Sequence, residues 1–275
     1  MENVGYYNGT IDCVENLLIP FLDRAVYFGD GVYDAFYARK KRPFTMQEHL
    51  DRLFLSAKQI DVVMPISYQN LCDLICELLK KTDDGEKIIY VQVSRGSGFR
   101  NHAYPQTKAN LLITITPKTV TPCDKIFNVV SYPDVRYKLC SIKTLNLLPN
   151  VLASNYASVN KCEEAVLHID GRVTECAHSN VHLIKNNTLI TAPCDGKILD
   201  GIARRHLISA CKKLNFPVLE RAFTLREIKE TDSLIITSAG TFCTPCFSID
   251  NSRLSVENTM ISTLQNILYG EFYDE

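Results

Sequence analysis

The sequence predicts an α+β fold, because stretches with helical and strand periodicity are mixed along the chain without strict alternation. Apolar residues recur at helical spacing from Leu50 to Ile60, whereas Val32–Ala38 is rich in β-prone residues. No internal repeat or low-complexity segment interrupts these patterns. The length of 275 residues is enough for one large domain or two modest ones with a sizeable core.

Composition excludes several classes of protein. The formal net charge of −1 gives no basic excess for nucleic acid, and no apolar run reaches the length of a membrane span. Met1–Gly5 lacks the pattern of a signal peptide, so we read the eleven cysteines as reduced thiols and expect a cytoplasmic protein.

The chain opens with a hairpin, a loop and a strand. Residues 4–13 alternate around Asn8-Gly9, a dipeptide typical of tight hairpin turns. Phe21–Gly31 contains two closely spaced glycines and is predicted as a loop. Val32–Ala38 then forms a strand.

Two helices follow. Thr45 and Glu48 have the spacing of a capping box, which predicts a helix that begins at Thr45. Arg52 lies beside the apolar stripe of that helix. Ser67 is predicted to cap a second helix, whose apolar face ends at Leu79.

Strands at Ile88–Val93 and Leu111–Thr116 flank the loop Arg95–His102, which is rich in glycine and in potential anion donors. The short segment from Pro117 to Pro122 has a proline at each end and is predicted to be a linker. The predicted organisation is therefore an N-terminal domain at 1–117, a linker at 118–122 and a C-terminal domain at 123–275.

The second half repeats the mixture of elements. Asp170-Gly171 and Asn186-Asn187 are typical turn dipeptides between strands. The expected elements are a strand near Ile126–Ser131, a helix from about Leu148 to Lys161, strands at Ala165–Ile169, Val173–Glu175 and Asn180–Ile184, a helix from Gly201 to Leu214, a strand at Leu234–Thr237 and a last helix from about Val256 to Tyr269.

Lys143 and Glu175 form the first group with chemical potential. Lys143 is the one charge in the apolar and hydroxylic run Ser141–Leu148, and an amine withdrawn from water is a nucleophile that forms Schiff bases. A carboxylate such as Glu175 can keep the ring nitrogen of a pyridine cofactor protonated. Taken alone, each residue is more typical of an exposed position at the end of an element than of a catalytic site.

A second group could bind phosphate. Arg52 offers a forked, permanently charged donor. Gly201–Ala203 begins a helix, and Ser238–Thr241 is a turn of small residues after a strand. Ordinary helix starts and turns share these features.

A third group could clamp a carboxylate. Arg100 and His102 lie two residues apart in the glycine-rich loop, and Tyr33 is a further candidate. A solvated loop is the alternative. Cys243 and Cys246 have the spacing of a redox or zinc pair, but no second ligand pair accompanies them, so we predict buried packing and no metal site.

The order and spacing of these segments resemble the fold-type IV aminotransferases that use pyridoxal 5'-phosphate (PLP), most closely the bacterial D-amino acid aminotransferases. The resemblance runs from Tyr6 to the last helix. The segments that carry it are Phe28–Tyr33, Glu48–Leu53, Arg95-Gly96 with Arg100–His102, Ile142–Leu148, Val173–Glu175 with Ser179–Val181, and Leu199–Ile202.

The resemblance implies a role for each matching residue. Lys143 matches the lysine that forms a Schiff base with the cofactor and moves the α-proton, and Glu175 matches the partner of the pyridine nitrogen. The remaining matches are Arg52 with the backbone N–H groups of Ile202 and Ala203 at the phosphate, Ser238 and Ala239 in a second phosphate-binding turn, Leu199 against the ring, and Tyr33, Arg100 and His102 as the trap for the substrate α-carboxylate.

The resemblance also implies an activity and an assembly. The expected reaction is ping-pong transfer of an amino group between a D-amino acid, such as D-alanine, and a 2-oxo acid, such as 2-oxoglutarate. In that family the arginine and histidine of the trap come from the partner subunit, so a homodimer is implied, with the active site between domains.

The chain departs from the family pattern at a few positions. Ala203, Ala239 and Gly240 stand where hydroxyl residues are usual, which predicts weaker phosphate binding through backbone donors alone. His178 replaces a small residue after Glu175 and could narrow the pocket, and Ala35 is smaller than usual.

Three other functions stay open. Aminodeoxychorismate lyase and branched-chain L-amino acid aminotransferase share the fold, the lysine and the glutamate. A protein that binds the cofactor without turnover is the third alternative, although it would not need a lysine that moves protons.

Overall fold

The computed structural model describes residues 2–274. Contacts between Cα atoms divide the chain into two compact units. The first runs to Val120 and takes in Ile142–Asn146, and the second holds Thr121–Ser141 and continues from Leu147. Each unit combines helices with one sheet, which confirms the predicted α+β class.

The predicted domain bounds at 1–117, 118–122 and 123–275 stay a prediction. The return of Ile142–Asn146 to the first unit is a feature that no local pattern in the sequence indicates, because it depends on contacts with residues far away in the chain. This segment carries Lys143.

The first unit is an antiparallel sheet with two long helices packed in its core. Its strands follow the order β2-β1-β6-β5-β3-β4. The elements are β1 Val4–Tyr7, β2 Thr10–Asp12, α1 Arg24–Phe28, β3 Gly31–Arg39, β4 Arg42–Pro43, α2 Met46–Gln59, α3 Tyr68–Lys80, β5 Lys87–Ser94 and β6 Asn110–Pro117.

Alternation of side chains explains how this core forms. Along β5, Ile89, Val91 and Val93 are buried while the residues between them are partly exposed, as expected for a strand with one face against a core. Leu53 of α2 and Ile75 of α3 belong to the same buried cluster. The predicted hairpin, strands and second helix of this half are confirmed.

Two predictions in the first half are wrong. The stretch Phe21–Gly31 is not all loop, because the Asp23 side chain accepts a hydrogen bond from the Ala25 N–H and starts α1, and Gly29 ends it with φ +59°. Thr45 does precede α2, but its backbone is left-handed, with φ +50°, and its side chain makes no capping hydrogen bond, so the predicted capping box does not form.

The second unit is built on a mixed sheet. Its strands follow the order β12-β11-β10-β13-β14-β7-β8-β9, with β15 paired to β14. The elements are β7 Phe127–Pro133, α4 Leu148–Val159, β8 Glu164–Ile169, β9 Arg172–Cys176, β10 Asn180–Lys185, β11 Thr188–Thr191, α5 Ile202–Lys213, β12 Val218–Glu220, α6 Leu225–Lys229, β13 Ser233–Ser238, β14 Thr241–Ile249, β15 Ser252–Arg253 and α7 Thr259–Tyr273.

Most predicted elements of this half are confirmed, and the main error is at β14. Ser238 ends β13 and Thr241 already begins β14, so the predicted turn contains only Ala239 and Gly240. No strand was predicted after this turn, although β14 includes Pro245, which is paired with Ile235 of β13. Cys243 and Cys246 are fully buried in that strand, which confirms that they pack as apolar side chains.

Smaller differences concern ends and short elements. The last helix is Thr259–Tyr273, so it begins and ends later than the predicted range of 256–269. The short elements β4, β12, β15 and α6 were not predicted. Across residues 2–274, no helix is long and apolar enough to span a membrane, and no three or more histidine, cysteine, aspartate or glutamate side chains are grouped as metal ligands.

Candidate active site

Backbone pairing fixes Lys143 beside β3 in the sheet of the first unit. The segment Ile142–Asn146 makes an isolated antiparallel bridge with β3. The Tyr33 N–H donates to the Lys143 carbonyl at 3.0 Å, and the Lys143 N–H donates to Ser56 Oγ at 3.4 Å. The position of Lys143 is therefore set by its main chain, which leaves its side chain available.

The Lys143 amine lies over an aromatic surface. Its Nζ is 4.5 Å from the centroid of the Tyr33 ring, and that ring stacks on Tyr90 with centroids 5.3 Å apart. The Tyr90 hydroxyl donates to Gln92 at 2.8 Å. Within residues 2–274 no carboxylate forms an ion pair with Lys143, so no salt bridge holds its amine away from a reacting carbonyl.

Arg52 lies in a buried network on α2. Its Nε donates to Asp34 Oδ2 and its Nη2 to Asp34 Oδ1, both at 2.8 Å, while His49 Nδ1 lies 2.7 Å from Oδ1. Asp34 is fully buried. Burial acts to raise the pKa of Asp34, but Arg52 and His49 outweigh it and hold that pKa below its usual value. An ionised Asp34 thus fixes the plane of the guanidinium.

Arg52 and Lys143 are brought to the same region of the first unit. Ser56, which binds the Lys143 backbone, is one helical turn after Arg52 and so lies on the same face of α2. Burial lowers the pKa of His49, and the positive charges of Arg52 and Lys143 act in the same direction. Two positively charged side chains, Arg52 and Lys143, therefore lie near His49 on α2.

The three residues predicted to form a carboxylate trap do not lie together within the chain. Tyr33 lies under Lys143, whereas Arg100 and His102 are exposed and lie near the Phe28 ring, at 5.4 and 5.3 Å from its centroid. Among residues 2–274, no hydrogen bond or ring contact joins Arg100 or His102 to Lys143 or Tyr33. Arg95, which seemed a potential anion donor, is buried and bonded inside the protein.

Glu175 is a buried carboxylate on β9 with three donors. Arg136 Nη1 contacts Oε1, while Asn180 Nδ2 and the Leu199 N–H donate to Oε2 at 3.0 and 3.1 Å. Arg136 also forms a bidentate pair with Asp134, at 3.0 and 2.8 Å. Sequence reasoning missed Arg136 and Asp134, because they belong to no recognisable motif and only the fold brings them to Glu175.

The charges of this cluster determine what Glu175 can bind. Burial acts to lower the pKa of Arg136, but Asp134 and Glu175 raise it well above its usual value. Burial acts to raise the pKa of Asp134, but Arg136 holds it below its usual value. Two buried carboxylates thus pair with one guanidinium. A buried carboxylate such as that of Glu175 suits a cationic N–H such as a protonated pyridine nitrogen.

Asn180 connects Glu175 to the start of α5. Its Nδ2 also donates to the Leu199 carbonyl at 3.0 Å, and a Cβ on Gly201 would come within 2.1 Å of its Oδ1. Gly201 precedes Ile202 as the N-cap, and no side chain caps the helix. The first N–H groups of a twelve-residue helix therefore face this region without a side-chain acceptor.

The second predicted phosphate-binding turn lies on the neighbouring strand. Asn180 is paired with Thr237 across the sheet, and Ser238 and Ala239 follow directly. Asn180 thus bonds to two of the second unit's predicted cofactor-binding residues, Glu175 and Leu199. It also lies beside Gly201 and Thr237, which directly precede the other four in the chain: Ile202, Ala203, Ser238 and Ala239.

Two residues that depart from the family pattern, His178 and Ala35, have defined neighbours in the structure. The His178 side chain is 65% exposed and its Nδ1 lies 2.9 Å from Glu164. The Ala35 N–H donates to Asp34 Oδ1 at 2.8 Å, so this small residue supports the Arg52 network.

The family model for amino-transferase class IV matches residues 31–249, which include Tyr33, Arg52, Lys143 and Glu175. The chain belongs to the class IV aminotransferase family. A class IV relative, the D-alanine aminotransferase of Listeria monocytogenes serotype 1/2a (strain 10403S), is 37% identical over 247 residues, which cover 88% of this chain and 86% of that protein.

Solved class IV structures have the same fold. The branched-chain amino acid aminotransferase of Escherichia coli superposes with a TM-score of 0.91 and 19% identity, covering 100% of this chain and 96% of that one. A protein described as a putative 4-amino-4-deoxychorismate lyase from Legionella pneumophila superposes with a TM-score of 0.86 and 24% identity, covering 93% of this chain and 96% of that one. These likenesses show the fold alone.

Class IV aminotransferases depend on PLP, and the residues of this chain fit that cofactor. Lys143 supplies an amine without a carboxylate partner among residues 2–274. In the second unit, Glu175 supplies a buried carboxylate suited to a ring N–H, and the uncapped start of α5 supplies N–H donors suited to a phosphate. In the first unit, Arg52 supplies a buried guanidinium suited to an anion.

Proposed function

We propose that this class IV enzyme transfers the amino group of a D-amino acid, such as D-alanine, to a 2-oxo acid, such as 2-oxoglutarate. The observation that carries the proposal of transamination is the Lys143 amine, fixed by its backbone and lying over Tyr33. The relative with 37% identity, a D-alanine aminotransferase, supports the choice of a D-amino acid.

Lys143 and Glu175 are assigned different steps of the reaction. When bound, PLP supplies an electron sink for negative charge that develops at the α-carbon of the amino acid. In our assignment Lys143 Nζ removes the α-proton as a general base and later returns a proton as a general acid. The Glu175 carboxylate, fixed by Arg136, Asn180 and the Leu199 N–H, keeps a proton on the pyridine nitrogen.

Phosphate binding is assigned to backbone donors and one arginine. Arg52 offers a guanidinium whose plane Asp34 fixes, and the N–H groups of Ile202 and Ala203 add the positive end of the α5 dipole. Ser238 and Ala239 are assigned to the same anion, and Leu199 to the face of the ring. Backbone donors serve where Ala203 and Ala239 have no hydroxyl.

Substrate binding is assigned to Tyr33 together with Arg100 and His102, across the interface of a homodimer. Within residues 2–274, Arg100 and His102 have no contact with Lys143, and both are exposed on their own chain. A forked arginine beside a histidine is suited to a carboxylate. The partner subunit is therefore proposed to present these two residues to the site that contains Lys143.

The activity is tested by following pyruvate, the 2-oxo acid formed from D-alanine. Purified protein with PLP, D-alanine and 2-oxoglutarate should form pyruvate, whereas K143A should form none and should keep the circular dichroism spectrum of the wild type. Pyruvate formation that survives K143A would contradict the assignment. Activity with L-leucine alone, or with 4-amino-4-deoxychorismate alone, would replace it by one of the two alternatives.

The exchange of trap residues has its own test. K143A and R100A variants, each inactive alone, are mixed and allowed to exchange subunits. In hybrid dimers one site combines an intact Lys143 with an intact trap, so about a quarter of wild-type activity should return. No recovery from a preparation shown to contain hybrids would place the trap and the lysine on the same chain.

The proposed compartment is the cytoplasm. All eleven cysteines are free thiols, which is typical of proteins in reducing compartments. Cell fractionation with an antibody against the protein tests this, and recovery in an exported fraction would contradict it.

A further inference from the structure

Arg24, the first residue of α1, holds the loop that carries Arg100 and His102. Its side chain is buried, with 3% of the residue exposed. Its Nε donates to Asp30 Oδ2 at 2.7 Å, its Nη1 to the Asn101 carbonyl at 2.6 Å and its Nη2 to the His102 carbonyl at 3.5 Å. One guanidinium thus ties the main chain of the loop to a carboxylate inside the first unit.

A second buried arginine anchors the same carboxylate. Arg95 Nε donates to both oxygens of Asp30, at 3.0 and 2.9 Å. Its remaining nitrogens donate to the carbonyls of Ile60 at 2.7 Å and Asp61 at 3.0 Å, and its guanidinium lies 3.5 Å from the centroid of the Tyr104 ring. Arg95 therefore fixes both oxygens of Asp30, the carboxylate to which Arg24 ties the loop.

The backbone at the start of the loop, at Gly96 and Gly98, is hydrogen-bonded to the segment around Arg24. The Arg24 N–H donates to the Gly96 carbonyl at 2.9 Å, and the Gly98 N–H donates to the Leu22 carbonyl at 3.0 Å. Beyond Gly98 the chain is exposed from residue 99 to residue 104. Within that exposed stretch, the Arg24 side chain supplies the hydrogen bonds to the carbonyls of Asn101 and His102.

The Phe28 ring joins the anchor to the two trap side chains. The Arg24 guanidinium lies 4.6 Å from its centroid, the Arg100 guanidinium 5.4 Å and the His102 ring 5.3 Å. Attraction between a cation and an aromatic face gives the two guanidiniums preferred positions, and the His102 ring packs against the same ring in a tilted arrangement. One ring thus contacts the anchor and both exposed side chains.

We propose that Arg24 and Phe28 are positioning residues that set the place of Arg100 and His102 and so determine how tightly the substrate carboxylate binds. This inference rests on the proposed function, which assigns Arg100 and His102 to that carboxylate. Arg24 and Phe28 act through the loop and touch neither substrate nor cofactor. A carboxylate held by a forked donor depends on alignment, and a misplacement of about 1 Å can cost on the order of 100-fold in rate.

The sharpest variant is R24K. A lysine keeps the charge and can still pair with Asp30, but a single ammonium cannot reproduce the planar fork that also reaches the loop carbonyls. We expect the KM for D-alanine to rise by about 10- to 100-fold while kcat changes by less than about threefold. F28L should move the KM in the same direction, and R226K, at a residue whose side chain is 87% exposed, should leave both constants unchanged.

Two inhibitors separate positioning from general damage. Propionate offers the carboxylate of alanine without its amine, and ethylamine offers the amine without the carboxylate. In R24K and F28L the inhibition constant of propionate should rise in parallel with the KM, while that of ethylamine stays at the wild-type value. Equal changes for both inhibitors, or no change for either, would overturn the inference.

The outcomes also separate this inference from the proposed function. Wild-type protein that forms no pyruvate from D-alanine refutes the function, whatever R24K does. Wild-type protein that is active, with R24K and F28L that bind propionate normally, refutes the positioning role alone. If R24K fails to fold, F28L decides the question, because it leaves the Arg24–Asp30 pair intact.

Discussion

Replacing Arg136 by methionine should be among the most destabilising single changes in the second unit. The guanidinium contacts Glu175, pairs with both oxygens of Asp134 and donates to the Lys197 carbonyl at 3.0 Å. The side chains of Asp134 and Glu175 are 4% and 7% exposed, so R136M removes the guanidinium that pairs with two buried carboxylates. Removing one partner of a buried ion pair costs about 3–5 kcal/mol.

The loss should appear as a lower melting temperature that depends on pH. At about 2–4 °C per kcal/mol for a domain of this size, the Tm should fall by roughly 6–20 °C near pH 7. In the wild type the pKa of Asp134 lies below its usual value, so its stabilising contribution is full above that usual value and is lost as the pH falls. The difference between R136M and wild type should therefore shrink below about pH 4.

Thermal melts of the cofactor-free proteins, followed by circular dichroism across this pH range, measure both effects. R226M removes an exposed arginine that pairs with Glu230 and should change the free energy of unfolding by less than about 0.5 kcal/mol. A Tm of R136M within about 2 °C of wild type at pH 7 would refute the view that Arg136 neutralises two buried carboxylates.

Three further predictions follow from single residues. D34N removes the carboxylate that aligns Arg52, so PLP should bind about 10- to 100-fold more weakly in a fluorescence titration. Unchanged PLP affinity in D34N would contradict this role of Asp34. Burial, with a smaller contribution from a nearby positive charge, lowers the pKa of His182 to about 3. The neutral ring therefore stabilises the fold at neutral pH, and the Tm should fall as the pH drops below the usual pKa near 6.5. The variant H182F should show a weaker dependence of Tm on pH. An equally steep dependence in H182F would refute the role of His182. G201A would place a Cβ 2.1 Å from Asn180 Oδ1, so this variant should lose PLP on dialysis. The control G270A, whose added Cβ would have its nearest atom 3.4 Å away, should retain PLP. Retention of PLP by both variants would contradict the importance of the close approach at Gly201.

Local patterns were enough for the elements that bury a periodic apolar face. The stripe from Leu50 to Ile60 and the alternation in β5 correspond directly to buried faces in the structure. Prediction failed where local spacing was not decisive. The strand β14, which contains Pro245 and lies in the middle of a sheet, was not predicted. Thr45 has the spacing of a capping box, but its backbone is left-handed and its side chain makes no capping hydrogen bond.

The candidate site was predictable only in part, for a similar reason. Lys143 and Glu175 could be singled out from the sequence because their roles require a lysine and a carboxylate in recognisable surroundings. Arg136, Asp34 and Arg24 could not, since each acts through partners that the fold brings together across tens of residues. Burial of their charges is the signal that identifies them, and burial appears only in the folded chain.

The most direct test of the central claim is a single half-reaction followed by the visible absorbance of the bound cofactor. Purified protein loaded with PLP is mixed separately with D-alanine and with L-leucine, in the absence of any 2-oxo acid. We predict that D-alanine alone removes the absorbance, in proportion to the pyruvate formed. Loss of the absorbance with L-leucine alone would contradict the assignment of a D-amino acid substrate and of Arg100 and His102 as its carboxylate trap.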